Sequence, residues 1–459
     1  MIDRVLVAYL SKTAAIHCAV LGLCWSGAIA AADLAITNVT VIDGTGGPNI
    51  PNQTVLIEGN RISGVQSATQ NLPSDARVIE ATGKFLMPGW IDAHIHLIGA
   101  GQWRGLDNPP GVAIDFDAAL SALHGFLYVG VTSVYDAGNN PDLILEMRRR
   151  ERAGEIVGPR IFASGHALSW PGSWMASSFH GVGVPDWPET KTVLDAQIAL
   201  KPDMQKLVME RFGMGPNPVA PALPADVMAK MVAYLKQNGV RTSIHAVRED
   251  LAQAAVEAGI DTLAHPVTIA RVNSSFTQML AARQVPVAST LAVFDEIIRF
   301  GEDPTVIDTP LNNFVLGEKE IAARQAKGPP LYASMGWTTW FKALSPYLKE
   351  NVRNLYDAGG VLVVATDRSN GPLYFREMQL LAELGIPATA IVRMGTLHGA
   401  QFLGLEDDLG TISVGKLADL LLLEADPSVD IRNAEAVAAV IKNGQIIDRS
   451  VLKLPGNHQ

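Results

Sequence analysis

An α/β fold is what the sequence predicts: a (β/α)8 TIM barrel carrying a small β-sandwich domain formed from both termini. Three observations point to it. Through the middle of the chain, short β-branched runs alternate with helical stretches, the pattern of a parallel sheet. The two ends share a different texture of short strands and tight turns. Polar residues sit just past the apolar runs of the middle, where a barrel of this kind keeps its chemistry. A length of 459 residues suits one large barrel and a satellite domain.

The chain opens with Arg4 and Lys12, an apolar run over 13–25 and the small-x-small triplet Ala28-Ile29-Ala30. This reads as a signal peptide, residues 1–30, and predicts an exported protein, periplasmic or secreted. The run is short for a bilayer, so no stable membrane span is expected after cleavage. Both cysteines, Cys18 and Cys24, fall in this segment. The mature chain then has no disulfide and no thiolate for a metal.

Residues 33–86 and 405–459 are assigned to the composite β-sandwich. Residues 35–42 alternate in polarity and lead into Asp43-Gly44-Thr45-Gly46-Gly47, and 54–57 lead into Glu58-Gly59-Asn60. Near the other end, 419–423 and 438–441 read as strands, with Lys442-Asn443-Gly444 as a turn. Residues 87–404 are assigned to the barrel. Its strand-like runs are 131–135, 160–163, 240–244, 260–263, 285–288 and 361–364. Helical stretches over 225–238 and 249–258 close on Gly239 and Gly259, a C-cap signal. No Gly-x-Gly-x-x-Gly follows a strand, which weighs against the competing open doubly wound sheet.

Hydrophobic residues make up 48% of the chain and charged ones 18%, which excludes a disordered chain. The net charge of −10 is diffuse, so no nucleic acid is expected as a partner. The densest basic cluster, Arg148-Arg149-Arg150 with Arg152, reads as a solvated helix face.

The chemistry sits at strand ends. His94 and His96 close the run through Ile91-Asp92-Ala93, and residues i and i+2 of a strand share a face, so the two can grip one ion. His245 follows Ser243-Ile244, His265 follows Leu263-Ala264, and Asp367 follows 363–366. Neutral imidazoles with a carboxylate suit zinc and similar divalent ions. A lone histidine in such a place is more often a satisfied core residue than a ligand. Here every such histidine stands in the same relation to an apolar run.

In these residues the chain resembles the amidohydrolase superfamily. Met87-Pro88-Gly89-Trp90-Ile91-Asp92-Ala93-His94-Ile95-His96 is similar to its first-strand signature. The stretch Gly130-Val131-Thr132-Ser133-Val134-Tyr135-Asp136-Ala137-Gly138 and Gly158-Pro159-Arg160 resemble its second and third strands. Gly410-Thr411-Ile412-Ser413-Val414-Gly415-Lys416-Leu417-Ala418-Asp419-Leu420 resembles its return to the small domain. The closest pattern is the imidazolonepropionase/prolidase-like branch with a carboxylated lysine. There Lys201-Pro202-Asp203-Met204-Gln205-Lys206-Leu207-Val208-Met209 places Lys206 at the ligand position.

The resemblance implies two divalent metal ions, with zinc the expected identity. His94, His96 and Asp367 would hold the first, and His245 and His265 the second. A carbon dioxide-derived carbamate on Lys206 would bridge them. An ammonium beside two cations is no ligand, whereas a carbamate is anionic and offers two oxygens; burial favours the neutral amine that must form it. Asp367 is implied as the catalytic residue, shuttling a proton from metal-activated hydroxide chemistry to the leaving group. The expected function is cleavage of an amide C–N bond in a peptide-like or N-acyl amino acid substrate. The same site serves a cyclic amide, lactone or ester. A metal-binding protein without activity is the reading from a different class. The expected partner is a small-molecule or short peptide-like substrate, and a homo-oligomer is compatible with the sequence.

Two places depart from the family pattern. After the third strand, where a Gly-Gly-His-like element is usual, the chain reads 165–174, with Trp174 at the histidine's place. After the eighth strand, Phe375 precedes Arg376 and Glu377 where a histidine two residues before a glutamate is common. Both changes predict a more apolar pocket. His166, Trp174 and Arg368 are the candidate substrate contacts, and Arg368 equally suits a salt bridge. Trp170, Trp174, Phe179 and Trp187 form either a local core or a substrate-facing wall. The long stretch 294–347, with Trp337, Trp340 and Phe341, is either a lid or an oligomer contact.

Overall fold

The computed structural model describes residues 32–97, 114–173, 175–177, 180–211 and 220–458. The expected signal peptide, Trp174 and Phe179 lie outside the described residues. Among the described residues no helix is long and apolar enough to cross a membrane.

Strands from both ends of the chain hydrogen-bond into one eight-stranded sheet. Its centre is the strand Leu34–Val41. The first half of that strand pairs in parallel with Arg77–Glu80, and the second half with Phe85–Pro88. Between the halves the register shifts and Asn38 takes a left-handed φ of 55°. This kink is what lets one strand serve two neighbours. The turn at Asn443-Gly444 has positive φ at both residues, 52° and 74°, the geometry that a two-residue hairpin demands.

The strand Leu420–Leu423 is leucine throughout because it is covered on both faces. Leu420 and Leu422 pack into the core of this sheet with Ile36, Val55 and Ile441. Leu421 and Leu423 point the other way, into the main core of the chain. The period of two assigns alternate side chains to the two cores.

In the middle of the chain all the strand pairs are parallel. Trp90–Ile95, Val131–Asp136 and Arg160–Ala163 form one sheet. Gly181–Gly183, Ala167–Ser169, Met204–Val208, Arg241–His245, Thr262–Leu263, Val287–Ala288 and Leu362–Val363 form another, in that order. Backbone hydrogen bonds join the two sheets at both sides. Asp203 N–H donates to Ala163 C=O at 2.9 Å, and Asp367 N–H donates to His94 C=O at 2.7 Å. Helices connect successive strands. Ala225–Gln237 and Glu249–Glu257 end as expected, with Gly239 and Gly259 at φ of 72° and 86°.

The connection between Val287–Ala288 and Leu362–Val363 is helical. It holds Leu291–Glu302, Pro310–Leu316, Glu318–Ser334 and Trp337–Asp357. Glycines set how closely these approach. A Cβ on Gly328 would lie 2.3 Å from the Phe300 ring, and one on Gly301 would lie 2.1 Å from Thr338 Oγ1. That tight packing carries Phe294, Trp340 and Phe341 to one cavity wall.

Candidate metal centre

His94 and His96 end the first parallel strand with their Nε2 atoms 3.3 Å apart. Each ring is oriented from behind. His94 Nδ1 lies 3.0 Å from Ala264 C=O, and His96 Nδ1 lies 2.8 Å from Gly138 C=O. A carbonyl can only accept, so both Nδ1 atoms carry the proton and both Nε2 atoms present lone pairs. The Gly138 turn is itself held by buried Asp136, which accepts from Gly138 N–H, Leu97 N–H and Asn139 Nδ2.

Asp367 follows the last parallel strand in a left-handed conformation, φ 53°. Such a φ costs a non-glycine residue about 1 kcal/mol or more, and its recurrence at functional sites is general. Its Oδ1 stands 3.4 Å from His94 Nε2 and 3.3 Å from His96 Nε2. His94 Nε2, His96 Nε2 and Asp367 Oδ1 therefore converge on one point, an arrangement that positive charge satisfies, whether a proton on His96 or a bound cation. The distances fit as well. Ligands about 2.05 Å from a tetrahedral ion stand about 3.3 Å from one another.

The titration behaviour agrees. Burial opposes the Asp367 carboxylate, yet His94, His96 and His265 hold it well below the usual range. Burial pulls His96 down, but its hydrogen bond to Asp367 and that residue's charge lift it above its ordinary value. Burial keeps His94 and His265 neutral. The Asp367 carboxylate asks for positive charge, which a proton on His96 supplies in the metal-free protein, while His94 and His265 stay neutral.

Lys206 is buried in the strand beside this group, with Nζ 3.3 Å from His94 Nε2. Burial pushes its amine down to about 7. His265 packs between His94 and His245, at ring-centroid distances of 4.7 and 4.6 Å. Thr290 Oγ1 holds its Nδ1 at 3.0 Å. His94, His96 and Asp367 thus bring their ligand atoms together as one group, with Lys206 and His265 packed against His94 and with His245 beyond His265.

A profile of the amidohydrolase family matches residues 85–447. The chain belongs to the amidohydrolase family. Imidazolonepropionases are among the relatives that it matches along most of its length. The imidazolonepropionase of Phocaeicola vulgatus is 25% identical over 418 residues, which cover 87% of this chain and 92% of that protein. Uncharacterised proteins of Mycobacterium bovis and Mycobacterium tuberculosis are 23% identical over 252 residues, 55% of this chain. The chain spans 64% of the length of those mycobacterial relatives. A solved Xaa-Pro dipeptidase with methionine in its active site superimposes with a TM-score of 0.71 at 19% identity, over 90% of this chain and 99% of its own. That likeness carries the fold.

Beside the ligand group, this amidohydrolase has a cavity with two kinds of wall. Glu210, His245, His265 and Asp367 form the polar side. Val247, Ile269, Phe294, Trp340 and Phe341 form the apolar side. The stretch 294–347 therefore contributes directly to the pocket. The candidate substrate contacts fare differently. Arg368 is turned from the cavity into an ion pair, Nε to Glu296 Oε2 at 2.5 Å. His166 is half-buried, and its backbone carbonyl accepts from Gln205 Nε2 at 2.8 Å. Neither lines the cavity. Trp170 and Trp187 pack against the main core. Phe375 is buried there too, and Glu377 takes hydrogen bonds from Ser289 Oγ and Ala292 N–H.

Three residues at the site were not singled out from the sequence. Asp92 is fully buried and accepts from His94 N–H and from both Thr366 N–H and Thr366 Oγ1, so it ties the first strand to the last. His180 lies before Gly181–Gly183 and brings its ring to 5.4 Å from His96. Glu210 is buried, with Oε2 3.4 Å from His245 Nε2. Glu210 could have been found by the rule that found the others, since it closes an apolar strand run. His180 follows aromatic loop residues and precedes Gly-Val-Gly, which carries no strand signal.

Proposed function

We propose that this amidohydrolase is an exported enzyme that cleaves an amide C–N bond in an N-acyl amino acid or peptide-like substrate. The convergence of His94 Nε2, His96 Nε2 and Asp367 Oδ1 within 3.4 Å of one another carries the reading. In this proposal the parallel strands close into a (β/α)8 barrel spanning 87–404, and 33–86 with 405–459 make the sandwich domain. The leader 1–30 directs export. The two histidine pairs would hold two divalent ions, zinc by donor chemistry, with Asp367 and a carbamate on Lys206 as the anionic ligands.

Divalent ions there supply Lewis acidity to the carbonyl and bring the pKa of water towards neutrality. The protein's own groups do the rest. His94 and His96 are fixed by the carbonyls of Ala264 and Gly138, so no reorganisation is needed when charge develops. Asp367, ionised by its histidine neighbours, accepts the proton of the attacking water. Water oxygen bonds to the carbonyl carbon, the C–N bond breaks, and Asp367 returns the proton to nitrogen. The products are a carboxylic acid and an amine. The apolar wall receives the substrate's hydrocarbon part. A phenyl ring burying about 100 Å² of apolar surface gains about 2.5 kcal/mol.

The test is a panel of N-acyl amino acids, dipeptides, lactones and esters, with products followed by chromatography. Amide hydrolysis that stops with chelator and returns with zinc supports the proposal. A fully metallated protein that turns over none of the amides overturns it.

A further inference from the structure

We infer that Glu296 is a positioning residue that guards Asp367: it engages and neutralises the adjacent Arg368 guanidinium, so that the Asp367 carboxylate stays available to a cation on His94 and His96. This rests on the reading of Asp367 as a metal ligand and proton carrier. A fixed cation one residue from such a ligand is a hazard. A guanidinium stays protonated at every working pH and forks readily onto a carboxylate. Without a partner, Arg368 would compete with the metal for Asp367 and repel the incoming ion.

The structure gives the guanidinium another place. Its Nε lies 2.5 Å from Glu296 Oε2, and its Nη1 donates to the backbone C=O of Asp367 at 3.3 Å. The Asp367 side chain meanwhile keeps Oδ1 at 3.4 and 3.3 Å from the Nε2 atoms of His94 and His96. Burial opposes the Arg368 cation; Glu296 compensates it most, and the charge of Asp367 acts less strongly. Glu296 is itself held in place on the helix Leu291–Glu302. Its neighbour Asp295 takes Arg376 Nε and Nη2 at 2.9 and 3.1 Å, and Ala292 N–H is held by Glu377 at 2.5 Å. The ion pair is largely shielded from water, with side-chain exposures of 20% for Arg368 and 7% for Glu296. In such a pair, removing one partner leaves the other uncompensated, whereas removing both is often tolerated. That asymmetry supplies the test.

The experiment measures zinc affinity of the full chain by chelator competition, kcat and KM on an amide substrate, and urea unfolding of the metal-free protein. Glu296→Gln keeps the shape and an oxygen for Arg368 Nε but removes the charge. It is expected to weaken zinc at least about tenfold and to lower kcat by a similar factor, with KM changed less than about twofold. Arg368→Gln removes the cation and should keep zinc affinity within about threefold of wild type. The double variant Glu296→Gln/Arg368→Gln should return both zinc affinity and kcat to within about threefold of wild type, because no cation remains to compete. A merely structural ion pair would lower the urea stability of both single variants and leave zinc affinity unmoved. Wild-type zinc affinity in Glu296→Gln, or an equal fall in both single variants that persists in the double variant, overturns the guarding role. Zinc affinity is read without substrate, so an inert amide panel overturns the amide reading alone. A wild-type chain that binds no zinc overturns the metal reading and this role with it.

Discussion

Replacing Asp92 by alanine should damage the metal site without touching a ligand. Asp92 accepts three hydrogen bonds in a dry setting: His94 N–H at 3.2 Å, Thr366 N–H at 3.1 Å and Thr366 Oγ1 at 2.7 Å. Alanine removes every acceptor and strands two amides and a hydroxyl. At a net of about 1 kcal/mol per bond, plus the desolvation of stranded donors, the loss is about 3–5 kcal/mol. Asparagine behaves differently. Its oxygen still takes both amides, and its nitrogen donates to the Thr366 hydroxyl, which rotates to accept. It also lacks the ionisable carboxyl that burial pushes up to about 8. Its cost should stay under about 1 kcal/mol. Because the three bonds set the backbone of His94 and of the residue before Asp367, Asp92→Ala should also weaken zinc by about 10–100-fold, the usual effect of losing a supporting partner. Urea unfolding of the metal-free protein and chelator competition read the two effects. Equal losses in the alanine and asparagine variants, or a loss below about 1 kcal/mol in the alanine variant, refute the positioning argument.

Three further outcomes are expected. Asp367→Asn should lower kcat by about 10²–10⁴ while retaining most of the bound metal, as read by steady-state kinetics and metal analysis; a near-normal rate refutes the proton role. Trp340→Ala should cut kcat/KM about 10–100-fold for substrates with an aromatic acyl group and change acetyl substrates little. An equal fall for both would show that the ring does not meet the substrate. Burial pushes the Glu377 carboxyl from 4.5 up to about 7. The folded protein then keeps a proton that the unfolded chain releases. This stabilisation is complete below about pH 4.5 and lost as pH rises through about 7, a difference of about 3 kcal/mol. Glu377→Gln should therefore gain that much on wild type between about pH 4 and 8 in metal-free urea unfolding. A pH-independent difference rules out the raised carboxyl.

The candidate ligands were legible because all but Lys206 end an apolar strand run. A strand in a parallel sheet needs an unbroken run of buried side chains, and a polar residue at its end marks the change from core to site. His94, His96, His245, His265 and Asp367 all carry that mark, and Lys206 stood out through its motif. Elsewhere the sequence left alternatives that it could not choose between. For Arg368 the sequence left a substrate contact and a salt bridge equal, and Glu296, on the helix Leu291–Glu302, decides for the salt bridge. For Trp170 and Trp187 the sequence left a core and a pocket wall open, and both pack on the core. The wall came from helices of 291–357, whose apolar faces give no sign of whether they meet a cavity, a lid or a partner.

By itself, then, the chain's order of residues determined which side chains could bind metal, how strands and helices alternate, and that both ends supply strands to another sheet. These are local properties, carried by periods of two and 3.6 residues and by turn chemistry. Only the tertiary structure decided that the acceptors meet within 3.4 Å, and that Asp92 bonds to Thr366 across 274 positions. It alone placed Glu210 and Trp340 at one cavity. The reason is physical: local periodicity states which face of an element is apolar, but which distant face it meets depends on packing and on backbone hydrogen bonds that close over hundreds of residues.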